Sequence, residues 1–295
     1  MLGSSVVFGI RETSAFGDTL DDRIRVAAAS GYDYIDMETG EEDDSIRRLE
    51  WSKDARLSLH GLCMEQGVFI RSVTLNGLRR FPIGDTDPKR RLLGMELLRR
   101  AIFFCNSMGI RIIRLPSTVT TGECTEENIS FYMENFCIAL HYAAQGQVLL
   151  ACPVVPDGFF STDRYTKLKD VCATPWMTAS VDVGTLFSRV SENSERNSWL
   201  MSVYKDLIDV TLSQKDGGFH NIVFTDDSPD LKRAAECLFT LNYCGAFLLD
   251  TPSGGVEELT AARETVLGHM RNAGYFGKAE SPTGMLLNSF LKIQR

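Results

Sequence analysis

Histidine is scarce in this chain, its cysteines never pair as CxxC, and it has no long apolar run. Each shortage excludes something. The four histidines, His60, His141, His220 and His269, are scattered and show no HExxH-type spacing, so no helix-borne zinc motif is written here. The eight cysteines are Cys63, Cys105, Cys124, Cys137, Cys152, Cys172, Cys237 and Cys244. Several fall inside apolar segments, where a free thiol behaves as a small hydrophobe. That usage predicts a reducing, cytoplasmic location, with neither a disulfide framework nor a structural zinc site. No stretch approaches the ~20 apolar residues that span a bilayer. The opening MLGSSVVFGIRE lacks a basic n-region and soon turns charged, so neither a signal peptide nor a membrane partner is expected. Positive charge is in deficit too: 31 Lys and Arg against 39 Asp and Glu give −8. Non-specific nucleic-acid binding needs a cationic surface that displaces counterions, so nucleic acid is not an expected partner. A local cationic pocket remains compatible with that charge.

What is present is a regular alternation. The 295 residues are 44% hydrophobic and 24% charged, the profile of a folded globular chain. Short apolar runs read as strands: Val6–Ile10, Tyr32–Met37, Val68–Leu75, Ile110–Leu115, Gln147–Cys152, Trp176–Val183, Leu207–Leu212 and Ala246–Leu249. Amphipathic stretches lie between them. These include Asp18–Ser30 ended by Gly31, Pro88–Met108 ended by Gly109, Thr125–Ala144 with Thr125 as N-cap, and Pro229 opening a helix to Leu241. Eight strands alternating with eight helices over this length predict an α/β fold, a (β/α)8 TIM barrel. No Pro/Gly/Ser-rich linker divides it, so residues 1–274 are expected to be one domain. Residues 275–295 form an extension whose segment Gly284–Leu291 is patterned as an amphipathic helix. It is expected to pack on the barrel or on a partner subunit. The acidic run Glu38–Asp44 reads as a solvated loop.

In such a barrel, polar residues at the C-terminal ends of strands face a shared site. Thr178-Ala179-Ser180-Val181-Asp182-Val183-Gly184 is a strand that stops at a carboxylate. Asp182 is a candidate ligand or acid–base group; a helix or loop cap is the other reading, and both stay open here. Arg79 and Arg80 suit bidentate phosphate binding or a rim ion pair. Cys152, beside Pro153, lacks a neighbouring histidine and reads as a buried thiol rather than a nucleophile. Gly254-Gly255 is a flexible turn and no phosphate loop.

Several segments together resemble one family. They are Gly9-Ile10, Tyr32-Asp33-Tyr34-Ile35-Asp36-Met37, Arg48-Leu49-Glu50-Trp51-Ser52, Arg79-Arg80-Phe81-Pro82-Ile83-Gly84, Gly109-Ile110-Arg111 and Tyr243-Cys244-Gly245. The chain resembles the xylose-isomerase-like sugar-phosphate isomerases and epimerases up to about Gly274. Within them it is most similar to the L-ribulose or L-xylulose 5-phosphate 3-epimerases, also labelled hexulose-6-phosphate isomerases. The resemblance implies a divalent metal held by Glu, Asp, His and Glu at the ends of strands five to eight. The two Glu would be the bases on opposite faces of the inverted carbon, and the metal would steady the enediolate.

This sequence departs from that pattern. The strand-five Glu falls on Pro153, the strand-seven His on Thr211 and the strand-eight Glu on Asp250, while the strand-six Asp is kept as Asp182. The family's His before Arg-Arg-Phe-Pro is Leu78. Asp182 and Asp250 are therefore the candidate catalytic and metal residues, and they suit at most a weak Mg or Mn site. No tightly bound cofactor is expected. Asp157, His220 and Asp226 are conceivable replacement ligands. Arg11, Glu12, Arg79, Arg80 and Arg114 are the candidate substrate-binding residues for a sugar phosphate or other anion. A homodimer is compatible with the sequence. Two readings follow: an active isomerase or epimerase with a reorganised site, or a pseudoenzyme, a non-catalytic barrel that binds a sugar phosphate. A further expectation concerns charge. Arg114 stands where close family members carry Gln, and strand alternation puts it on the face of Ile110 and Ile112. Arg114, with Arg11, is expected to pair with Asp182 or Asp250 in place of the metal.

Overall fold

The computed structural model describes residues 6–215, 221–225 and 227–276. Eight parallel strands close into a barrel, β1-β2-β3-β4-β5-β6-β7-β8 and back to β1. They are β1 Val7–Arg11, β2 Tyr34–Thr39, β3 Phe69–Leu75, β4 Ile112–Arg114, β5 Leu149–Pro153, β6 Met177–Asp182, β7 Leu207–Ser213 and β8 Ala246–Asp250. The TIM-barrel expectation is met, with each strand found where alternation placed it, to within two residues at either end. The helices between them begin and end on local chemistry. Thr19 and Asp22, and Thr125 and Asn128, form reciprocal capping boxes. Asp87 caps the helix Pro88–Met108, and Gly109 closes it with φ +73°, a left-handed turn that glycine takes without a Cβ penalty.

Three short helices escaped the sequence pattern: Asp43–Arg47, Gly77–Arg80 and Val183–Arg189. Each is too short to show a helical apolar period. The run 38–44 is thus no simple loop. Glu38 and Thr39 finish β2, and Asp43 starts a helix.

Strand alternation makes two cores. Outward-facing residues such as Ile10, Ile35, Val73, Ile113, Leu150, Val210 and Leu249 are fully buried beneath the helices, each contributing roughly 1.5–3 kcal/mol. The inward-facing residues differ. A small apolar cluster of Val7, Tyr34, Ala246 and Leu248 lies inside the barrel. Gly9 admits it, since a Cβ there would come within 2.3 Å of the Tyr34 ring. The remaining buried polar residues of the strands include Asp36, Ser72, Thr74, Arg114, Ser180, Asp209, Thr211 and Ser213. A barrel interior is ordinarily filled by branched apolar side chains; here much of it is a hydrogen-bonded polar column. After the last helix, Val256–Ala273, the Tyr275 ring packs edge-on against Phe239 and Phe247 at 5.4 and 5.9 Å. The segment Gly284–Leu291 lies outside the described residues.

Candidate functional site at the C-terminal mouth of the barrel

The column is built in layers. In the lower layer Arg114 of β4 reaches across the barrel to β7. Its Nη1 donates to Asp209 Oδ1, and its Nη2 donates to Thr211 Oγ1 at 2.6 Å. Asp36 of β2 is fully buried and accepts from Ser72 Oγ at 2.5 Å and Thr74 Oγ1 at 2.6 Å. Burial works against the Arg114 charge, but the carboxylates of Asp209 and Asp36 more than reverse this and hold its pKa above the ordinary arginine value. A guanidinium between two carboxylates satisfies charges that would otherwise be costly to bury.

The expectation for Arg114 is therefore corrected. Alternation does turn it into the barrel, but it pairs with Asp209, not with Asp182 or Asp250. Asp209 lies two residues before Thr211 and reaches Arg114 first.

The mouth lies one layer higher. Asp182 and Asp250 are the last residues of β6 and β8, so both stand at the same end of the barrel. Asp182 Oδ1 accepts from Ser213 Oγ at 2.7 Å and from the Thr185 amide at 2.8 Å. The second bond caps the helix Val183–Arg189, so Asp182 caps a helix and faces the mouth at once. Lys215 Nζ lies 4.0 Å from Asp182 Oδ2 and donates to Asn221 Oδ1 at 2.6 Å. Asn221 Nδ2 in turn donates to Asp250 Oδ1 at 2.7 Å. Arg11 Nε lies 3.1 Å from Asp250 Oδ2. The two strand-end carboxylates are thus joined by a polar chain, Asp182–Lys215–Asn221–Asp250–Arg11. The part of the charge expectation that concerned Arg11 matches this geometry.

The other candidates are placed as follows. Glu12 is buried and engaged by Arg23 at 2.9 Å, Arg48 at 3.0 Å and the Glu38 amide at 2.8 Å; its oxygens hold the β1 and β2 ends together. Glu38 instead faces Asn76, whose Nδ2 donates to it at 2.5 Å. Arg79 and Arg80 are the exposed residues of the short helix Gly77–Arg80, whose Gly77 and Leu78 are buried. Arg80 pairs with Asp43 at 2.6 Å, and the Arg79 side chain makes no hydrogen bond or ion pair with a described residue. Pro153 ends β5. Asp157 pairs with Arg189 rather than turning to the mouth. His220 and Asp226 lie outside the described residues. Cys152 is fully buried, and burial drives its thiol pKa well up, which suits the buried reading and not a nucleophile.

The donor set at the mouth does not fit the metal centre that the resemblance implies. Of the four positions, Pro153 offers no side-chain donor and Thr211 Oγ1 is taken by Arg114. Cationic groups sit beside both remaining carboxylates. No cluster of three or more His, Cys, Asp or Glu suited to a metal occurs among the described residues.

Ser213, Lys215, Asn221, Asp209 and Asp36 belong to this site and were not singled out from the sequence. Period-two alternation along β7 marks Asp209, Thr211 and Ser213 as one face, a signal that could have found Asp209 and Ser213. Lys215 and Asn221 follow the strand and carried no such signal. A separate groove of about 690 Å³, lined by Trp51, Phe103 and Tyr142 among others, lies away from these residues. It brings no strand-end carboxylate together, so the mouth is the candidate site on chemistry.

Fold and site define a class: a parallel (β/α)8 barrel whose chemistry sits on the C-terminal ends of its strands. Residues 24–273 match the xylose isomerase-like TIM barrel family, and the chain belongs to it. It is 32% identical over 268 residues to a Haemophilus influenzae protein provisionally named L-ribulose-5-phosphate 3-epimerase SgbU, covering 87% of this chain and 93% of that one. It is 29% identical over 282 residues to the L-ribulose-5-phosphate 3-epimerase UlaE of Escherichia coli, covering 93% and 98%. Two solved structures share the fold. An L-ribulose 3-epimerase superposes with a TM-score of 0.72 at 12% identity, over 91% of this chain and 96% of that one. The D-psicose 3-epimerase of Clostridium cellulolyticum H10 does so with a TM-score of 0.71 at 11% identity, over 90% and 99%. The two relatives are thus both named for L-ribulose-5-phosphate 3-epimerisation, and the solved structures show the fold. No helix among the described residues is long and apolar enough to cross a membrane.

Proposed function

We propose that this chain binds a phosphorylated ketose, or a related anion, at the mouth of the barrel and does not carry out metal-dependent 3-epimerisation. The observation that carries the reading is the Arg11–Asp250 pair at 3.1 Å, continued through Asn221 and Lys215 to Asp182. Epimerisation at a carbon beside a ketone needs a base on each face and a stabiliser for the enediolate. Pro153 offers no base on the strand-five side. A guanidinium and an ammonium balance the two carboxylates and can hold hydroxyl or anionic groups, but they lack open coordination positions. Arg11 and Lys215 are the residues we assign to orient the ligand, with Asp182 and Asp250 accepting from its hydroxyls. Arg79, exposed and without a described partner, supplies a cation for a phosphate at the rim.

One observation favours the alternative, an active isomerase or epimerase: Asp182 and Asp250 stand at the same mouth, as a two-carboxylate mechanism requires. The assay is 3-epimerisation of L-ribulose 5-phosphate and L-xylulose 5-phosphate, with and without added manganese or magnesium, beside calorimetric titration of the same compounds. The expected result is binding without turnover, weakened by Arg11→Ala. Metal-dependent turnover that Asp182→Ala abolishes would establish the enzyme instead.

A further inference from the structure

We propose that Cys137 and Cys172 form an oxidant-sensitive dithiol, a modification site that closes into a disulfide between two neighbouring helices of the outer layer. Cys137 lies on the exposed side of the helix Glu126–Gly146, and Cys172 is the half-buried last residue of the helix Thr162–Cys172. Their Sγ atoms are 3.3 Å apart, across 35 residues of sequence. A disulfide needs about 2.05 Å between sulfurs, so roughly one ångström of side-chain rotation closes the bond.

The helices are held in register without the sulfurs. Tyr132 and Phe136 of the first pack edge-on against Phe159 and Phe160, which lead into the second, with centroids 4.7 Å apart for Tyr132–Phe159 and 6.2 Å for Phe136–Phe160. That apolar seam keeps the two thiols together while both are reduced. The other six cysteines differ. Cys63, Cys105, Cys152 and Cys237 are buried, and the exposed Cys124 and Cys244 show no sulfur neighbour.

The chemistry balances with a low-molecular-weight disulfide such as glutathione disulfide as the oxidant. The Cys137 thiolate, being the exposed one, attacks a glutathione sulfur, and one glutathione thiolate leaves. Burial, then the hydrogen bond to Cys137, raises the Cys172 pKa to about 12, so Cys172 is the slower, resolving thiol. Its sulfur attacks the Cys137 sulfur, the second glutathione leaves as a thiolate, and that thiolate takes up the Cys172 proton. One disulfide is reduced to two thiols while the protein dithiol loses two electrons. In a reducing compartment the cross-link is transient.

The test uses the full chain, incubated with glutathione disulfide and then alkylated under denaturing conditions. The expected result is six alkylated cysteines rather than eight, a Cys137–Cys172 linked peptide by mass spectrometry, and a rise in Tm that dithiothreitol reverses. Cys137→Ser should abolish all three effects. Cys172→Ser should leave a lasting glutathione adduct on Cys137, which separates loss of the resolving thiol from loss of the fold. A stable glutathione adduct on Cys137 in the wild-type chain would overturn the proposal. A disulfide between two copies of the chain on a non-reducing gel would do the same.

Discussion

Arg114 is where charge and burial meet most sharply. It is 7% exposed, and Asp209 is 2% exposed. Removing one member leaves the other charged, buried and without its main partner, which costs roughly 3–5 kcal/mol. Arg114→Met is therefore expected to destabilise the protein by about that amount in urea titration, and Asp209→Leu similarly. The double variant Arg114→Met with Asp209→Leu should recover much of the loss, because it removes both charges. A double variant that loses as much as the two single ones summed would mean that the two side chains are not coupled. Asp85 makes a pH-dependent counterpart. Burial raises its pKa, but hydrogen bonds from the Asp87 and Thr121 amides and the Thr121 hydroxyl outweigh that, and Arg90 at 3.7 Å adds to them. The carboxyl is thus held below its ordinary value. A lowered folded-state pKa contributes stability above the unfolded pKa and loses it as pH falls through the folded one. Asp85→Asn is expected to cost roughly 1–2 kcal/mol at pH 7. The difference from wild type should shrink steadily below about pH 4; a difference independent of pH would contradict it.

Elements are set mainly by their ends. Thr125 accepts from the Asn128 amide while the Asn128 side chain accepts from the Thr125 amide, so two orphan donors of the long helix Glu126–Gly146 are satisfied. Thr125→Ala should cost about 1 kcal/mol, read from the chemical denaturation midpoint, whereas Thr125→Ser should cost little. This cap could be read from the letters, as could Pro88 and Gly109, because the chemistry of a helix end is local. The Arg114–Asp209 pair could not. Alternation gives the face of each strand, but the partner across a barrel depends on strand tilt and stagger, which no short window contains. The mouth shows the same limit. The register shift between Ala179 and Ser180 sets Asp182 beside Thr211 in the ladder, while its carboxylate reaches on to Ser213. An alignment of single positions sees Thr211 and overlooks the serine two residues later.

At the scale of the molecule, closure is the governing fact. β8 pairs with β1 over four residues, Val7 to Ile10 against Ala246 to Leu249, so the last strand completes the first. No half of the barrel can satisfy its edge strands alone. Unfolding in guanidinium is expected to be a single transition, with far-UV and near-UV circular dichroism coincident. Separated transitions would mean that part of the barrel stands by itself. The polar column fits this picture, since one of its ties crosses the barrel between strands remote in sequence, from β4 to β7, beside a tie between the neighbouring β2 and β3.

That last tie has a meaning in time as well as in space. Arg114 and Asp209 are 95 residues apart. At about 5–20 residues per second, the ribosome finishes β7 some 5–20 s after β4. Until then Arg114 lacks Asp209, one of the two carboxylates that hold its charge in the barrel, and an unpaired guanidinium is costly to bury. The dry interior is thus expected to form only after the chain through β7 has been made.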